Sequence, residues 1–376
     1  MKYTPPTSFQ GNSNIEKKPR SSNLELYRII CMLMIVAHHY VVNSGLSGNS
    51  GPCAIHPNDI NTLFLKIFSA WGKTGINCFM MITGYFMCTS KITARKFIKL
   101  LAQVYFYNVL IYIIFLVSGY ETISSVRIVK LLMPFWGFNS NFVSCFIIFY
   151  LTIPFLTILV RNLNKRQHEL LLMILIGSYT IFGSIPSFNV TFNYITWFCV
   201  IFFIASYIRY YPTRIFESRK KWGVITFVSV LSATISIIFL QRLFGAGDYF
   251  LSNCNRVLAV VVSVSSFLWF KNMNIRYNKV VNAFGAGTFG VLLIHANSDA
   301  MRTWLWDVII DTAGHYNLPL VNLVFFSVGV VIAIFITCNL MDQLRIATVE
   351  KAFFNWYDRK IAAKTDELID KIIYKQ

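Results

Sequence analysis

The sequence predicts an all-α fold, a polytopic transmembrane helix bundle of about ten membrane-spanning helices with both termini cytoplasmic, and three observations predict it. The first is composition. The chain has 376 residues, 56% hydrophobic and only 13% charged, against roughly 45–50% apolar and about 25% charged in soluble domains. Mean hydropathy is +0.56. That much apolar side chain needs lipid around it, which excludes soluble dinucleotide enzymes, disulfide scaffolds and nucleic-acid binders. The second is the recurrence of apolar windows of spanning length. The third is the alternation of basic connections, so that the net charge of +18 is read as topological, with no nucleic acid as partner.

The windows cover residues 26–43, 73–89, 100–118, 142–160, 168–184, 193–210, 222–240, 255–271, 280–297 and 318–341. Residues 1–22 are polar, carry Pro5, Pro6 and Pro19 and show no period, so a disordered cytoplasmic tail is expected there. The first window follows Lys17, Lys18 and Arg20 as a signal peptide would. No A-x-A-like cleavage site follows it, so it is expected to stay as an anchor. Residues 23–342 are expected to form the membrane domain. The stretch 120–141 is too polar to span and is expected in the outer interface, with Trp136 and Phe138 at headgroup depth. Residues 343–376 mix charge with Phe353, Phe354, Trp356 and Tyr357, as an amphipathic cytoplasmic tail does.

The connections set the orientation. Those placed inside carry Lys91, Arg95, Lys96 and Lys99, then Arg161, Lys165 and Arg166, then Arg209, Arg214, Arg219, Lys220 and Lys221, then Lys271, Arg276 and Lys279. The alternate ones are poor in basic residues. Loop 44–62 has Asp59, loop 185–192 has no charge, and loop 298–317 sets Arg302 against Asp299, Asp307 and Asp311. An even number of helices with both ends inside satisfies them all.

Ionisable residues inside apolar windows carry the functional signal, because each costs energy in lipid unless it faces a partner or water. The first window contains Glu25, Arg28, His38 and His39. Glu25 and Arg28, three apart, can pair on one face. From Arg28 to His39 is about three turns and roughly 16 Å of rise, so the two project from nearly the same face, with His38 about 100° away. An arginine at the inner end and a histidine farther out suit a pore that holds an anion inside and moves a proton farther out. An arginine that only anchors the inner end and a histidine that only lies in the interface are the plainer alternative, which the shared face weakens. The third helix opens with Arg95, Lys96 and Lys99, either a phosphate-binding face or topogenic charge. The ninth ends in His295 and Asn297, and the second brings Lys73 and Asn77 to that depth. GAGTFG at 285–290 matches a dinucleotide fingerprint but lies within a helix window, where close helix packing is the better reading. The eight cysteines lack metal-site spacing, so no metal is expected, and GxSxG, Walker A and HExxH strings are absent.

Four segments in order, the acidic-Arg-x10-His pattern at Glu25, Arg28 and His39, GINCFMMITGYF, NFVSCFIIFYLTIPFL and TFGVLLIH, resemble the integral-membrane acyltransferase-3 family over residues 23–345. The resemblance implies ten helices, a cytoplasmic acyl-CoA donor, most often acetyl-CoA, and acylation of a cell-envelope or secreted polysaccharide. It implies catalytic roles for His39 and Glu25, with Arg28 paired to them on the motif, and donor binding by Arg28, Arg95, Lys96 and Lys99. Lysines stand at 96 and 99 where many members have arginine. His295, Asn77, Lys73 and Asn297 are expected at the substrate. Implied partners are acyl-CoA, a glycan or lipid-linked sugar acceptor and membrane lipids, in a multi-pass bacterial plasma-membrane protein that admits a homo-oligomer. His39 can serve as general base or carry the acyl group itself. A secondary transporter or flippase of a sugar or lipid-linked substrate is the rival function.

Overall fold

A computed structural model describes residues 21–133, 136, 141–188, 190–369 and 371. Of the tail expected at 1–22, residues 1–20 lie outside the described residues, as does Phe138, and Ser22 already belongs to the first helix. Among the described residues there is helix and no strand. In chain order the helices are α1 (Ser22–Val42), α2 (Pro52–Ile55), α3 (Ile60–Ser69), α4 (Gly72–Met87), α5 (Ala94–Val117) and α6 (Ser125–Leu132). Then come α7 (Phe142–Asn162), α8 (Lys165–Ile176), α9 (Tyr194–Tyr210), α10 (Arg219–Phe244), α11 (Val257–Lys271) and α12 (Lys279–Ala286). The chain closes with α13 (Thr288–His295), α14 (Asp299–Thr303), α15 (Leu320–Arg345), α16 (Lys351–Lys360) and α17 (Ala362–Ile369).

All ten apolar windows fall on helix, but not all are long enough to span alone. Among the described residues, five helical stretches are long and apolar enough to cross a membrane, α1, α5, α7, α10 and the run from α15 into α16. A sixth is counted if the bent stretch Lys279–Ile309 crosses once. Helix α4 has 16 residues, a rise of about 24 Å at 1.5 Å per residue against a hydrocarbon core of about 30 Å. Within 120–141, the stretch expected not to span, α6 is a helix of eight residues. Polar caps start several helices, as where Asn141 accepts from the Val143 and Ser144 amides at α7.

Helix α1 is the hub, packed against α3, α4, α11, α12, α13 and α15. Its first turn is tied down by polar side chains. Asn23 donates to the last carbonyls of α11, Phe270 at 2.9 Å and Lys271 at 3.0 Å, groups a helix end otherwise leaves open. Ser22 donates to Asn282 of α12 at 2.9 Å. Alongside, α4 comes so near that a Cβ on Gly75 would stand 2.9 Å from the Cys31 carbonyl. The GAGTFG string does the same for α12, α13 and α15, where a Cβ on Gly287 would stand 2.9 Å from the Asn339 amide oxygen. Small residues at such crossings let apolar helices pack without a hydrophobic driving force. Outward faces are apolar, with Phe227, Leu231 and Phe239 of α10 and Phe325 and Ile332 of α15 exposed.

One carboxylate is fully buried. Asp342 of α15 accepts from Tyr107 Oη at 2.8 Å, from Gln103 Nε2 at 3.3 Å and from Arg345 Nε at 2.7 Å. Arg345, itself 6% exposed, donates through Nη1 to Glu350 at 2.8 Å. Breaking one side of a buried pair strands the other charge. Asp342→Ala is expected to destabilise the fold by about 3–5 kcal/mol, read as a lowered midpoint of thermal unfolding in detergent, with Asp342→Asn losing less. An unchanged midpoint for Asp342→Ala would contradict this role.

Candidate functional site

The first helix and the ninth window meet through two histidines 256 residues apart. Nδ1 of His39, near the end of α1, lies 2.9 Å from Nε2 of His295, the last residue of α13. Nδ1 of His295 lies 2.6 Å from the Val291 carbonyl one turn back. A carbonyl only accepts, so His295 carries its proton on Nδ1, and its Nε2, when the ring is neutral, is an acceptor. His39 therefore donates through Nδ1, and its Nε2 keeps a lone pair. His295 is fully buried and His39 is not.

His39 opens onto a cavity of about 510 Å³, which also receives Lys73, Asn108, Asn297 and Arg302. The broken helix shapes it. Between Lys279–His295 and Asp299–Ile309 the axis turns by 97°, and the residues at the break, Ala296, Asn297 and Ser298, line the cavity. Non-helical backbone at membrane depth is tolerated where it lines such a space. Asn297 is held by its amide, which donates to Asn108 at 3.0 Å and to the Leu293 carbonyl at 3.1 Å. Lys73 donates to the Tyr194 hydroxyl at 2.8 Å. His38 also touches the cavity, but its Nδ1 donates to the Ser69 carbonyl at 2.8 Å, so it is turned to α3 and not to His295.

Thus three expected residues, His39, Lys73 and Asn297, line the cavity; His295, expected at the substrate, is fully buried outside the lining and reaches the site only through its bond to His39; the others do not come to the cavity. Asn77 is absent from the cavity lining. It is fully buried, donating to the Cys254 carbonyl at 2.7 Å and accepting from Trp197 Nε1 at 2.8 Å. A side chain with both ends satisfied by protein braces α4 against its neighbours and leaves nothing for a substrate. Glu25 pairs with Arg28 at 3.3 Å, as its spacing suggested, but stands fourteen residues before His39, about 21 Å along the helix. It cannot act on the atoms His39 reaches. Arg28 does not line the cavity either.

The basic start of α5 is held by the chain's own carboxylates. Arg95 grips Asp358 of α16 through two bonds at 2.8 and 3.0 Å, with Phe354 4.6 Å from its guanidinium. Lys99 pairs with Glu350, and Lys96 donates to the Lys91 carbonyl at 2.7 Å. The C-terminal segment therefore competes with any anionic ligand for Arg95 and Lys99. Two cavity cations, Arg127 and Lys130 of α6, went unrecognised in the sequence, although cations in a connection otherwise expected to be poor in them were the available signal. Asp342 was missed as well, a carboxylate one residue past the last apolar window.

The class these features define is a membrane protein with an imidazole base in a polar cavity. The acyltransferase domain model of the acyltransferase-3 family matches residues 21–339, and the chain belongs to that family. It is an acyltransferase. No curated protein and no solved structure matches it significantly.

The hydrogen-bond order can be checked directly. With ¹⁵N-labelled histidine, the His39 ring is expected to show a protonated Nδ1 and a bare Nε2 near neutral pH, and His295→Leu to abolish that preference. A His39 protonated on Nε2 would contradict the order.

Proposed function

We propose that the protein transfers an acyl group, most simply acetyl, from cytoplasmic acyl-CoA to a hydroxyl of a cell-envelope or secreted polysaccharide or its lipid-linked precursor. The observation that carries this is the bare Nε2 of His39, a residue that lines the cavity and is oriented by His295, in a chain of the acyltransferase-3 family. On the orientation argued from loop charge, ten helices cross a bacterial plasma membrane and both termini are cytoplasmic. Arg28 then lies near the donor face and His39 toward the outer one. Acyl-CoA docks at the inner end, where its phosphates meet Arg28 and, once the C-terminal segment yields them, Arg95 and Lys99, with Lys96 adding charge.

The reaction balances on one proton. Nε2 of His39 takes it from the acceptor hydroxyl as that oxygen attacks the thioester carbonyl, forming the new C–O bond. The tetrahedral intermediate collapses by breaking the C–S bond. The departing thiolate of coenzyme A takes the proton back from Nε2. Throughout, His39 Nδ1 donates to His295 Nε2, while the proton on His295 Nδ1 stays donated to the Val291 carbonyl, so the imidazolium is held in place. Lys73 and Asn297 are the side chains available to position the acceptor.

A transporter is the second reading, favoured by the broken helix at 296–298, since discontinuous helices mark many transporter sites. Family membership supports acyl transfer over it. The experiment is acyl transfer by purified protein in lipid nanodiscs. His39→Ala is expected to lower kcat by roughly 10²–10⁴, the usual contribution of general acid–base catalysis, with acyl-CoA affinity kept. Arg28→Ala is expected to weaken acyl-CoA binding by about 1.5–3 kcal/mol, the range for a hydrogen bond to a charged group. Full activity in His39→Ala would overturn the assignment.

A further inference from the structure

Four basic side chains face the cavity that holds His39, namely Lys73, Arg127, Lys130 and Arg302, and Asp299 is the single carboxylate among its lining residues. Two carboxylates pair with these four cations. Asp299, 2.9 Å from Arg302, is 97% exposed, and Glu121 stands 3.8 Å from Arg127. Lys73 is bonded to a neutral phenol, and Lys130 is exposed. Topology does not account for this charge, because the inside bias of basic residues fills the opposite end of the bundle. An anion does.

Helix α6 indicates how that anion arrives. Arg127, Lys130 and Leu131 line the cavity, whereas Val126, Val129, Leu132 and Met133 are exposed. At three and four residues apart, the two sets form a cationic face and an adjoining apolar face. The Leu132 carbonyl at the helix end accepts from Tyr105 of α5 at 3.0 Å, which moors the helix to the bundle. A short helix of this kind lies in the interface, its apolar face toward the acyl chains and its cations at headgroup level.

We propose that the acceptor entering this cavity is itself a lipid, a sugar joined through phosphate to a hydrocarbon chain. Arg127, Lys130 and Arg302 hold the phosphate, the chain leaves along the apolar face of α6, and the sugar hydroxyl meets Nε2 of His39. Phosphate fits better than a carboxylate because the four cations lining this cavity outnumber the two carboxylates that pair with them, and guanidinium groups take phosphate oxygens in pairs. The identity of the acylated group rests on the acyltransferase reading; the phosphate-lipid site does not.

The test uses three probes with the full chain in neutral phosphatidylcholine nanodiscs: farnesyl phosphate, farnesol and inorganic phosphate, with binding read by tryptophan fluorescence. Farnesyl phosphate is expected to bind at least tenfold tighter than either other probe and to slow diethyl pyrocarbonate modification of His39. Lys130→Glu, on an exposed position, and Arg302→Gln are each expected to weaken it tenfold or more. Farnesol binding as tightly, or both variants binding normally, would remove the phosphate site. Inorganic phosphate binding as tightly would assign the cations to soluble phosphates and overturn the lipid acceptor. Acyl-CoA binding and cleavage in the same discs report on the enzyme separately: their absence beside tight farnesyl phosphate binding would sink the acyltransferase proposal and leave this site standing.

Discussion

The close approach of α4 to α1 is the constraint on which the rest depends. It exists because Gly75 leaves no side chain between α4 and the Cys31 carbonyl, and any larger residue would push the two helices apart. With α4 pressed against it and its first turn bonded to α11 and α12, α1 has a fixed height and rotation. Height and rotation decide which residues a rigid helix presents at each level. They set His39 against His295, Lys73 into the same cavity, and Glu25 with Arg28 at the far end. A histidine on a loosely packed helix would lose the hydrogen bond that chooses its tautomer.

The two ends of the bundle are built differently. At the His39 end, a helix broken at 296–298 supplies polar backbone and side chains to an open cavity. At the other end, cations are satisfied from within, by Glu25, Asp342, Glu350 and Asp358. This division suits a two-substrate enzyme in which one ligand must displace internal partners and the other enters a site already charged for it. Exposed ion pairs such as Arg95 with Asp358 are worth little each, so freeing Arg95 from Asp358 costs little.

The fold class was legible from composition, and every apolar window lies on helix, because hydrophobic runs in lipid leave the backbone few alternatives. The number of crossings was less legible, since helices such as α4, α9 and α11 are shorter than the windows that announced them. The Arg28 to His39 stripe could be read because eleven residues close three helical turns. The meeting of His39 with His295 could be anticipated only as a matching depth, for no spacing relates residues 256 apart. Asn77 was misplaced because a polar residue in an apolar helix reads alike whether it serves a ligand or a brace; the Cys254 carbonyl and Trp197 decide it. The hold of Glu350 and Asp358 on Lys99 and Arg95 is a long-range pairing that local pattern does not carry.

The central claim is that an acyl group crosses from a donor at the Arg28 end to a hydroxyl at the His39 end. Sidedness in proteoliposomes of known orientation tests it most directly, with labelled acyl-CoA supplied at the Arg28 face and the acceptor confined to the His39 face. The account predicts label on the confined acceptor while coenzyme A stays on the side where it was added. Transfer only when donor and acceptor share one face, or passage of the acceptor across the membrane without acylation, would contradict it.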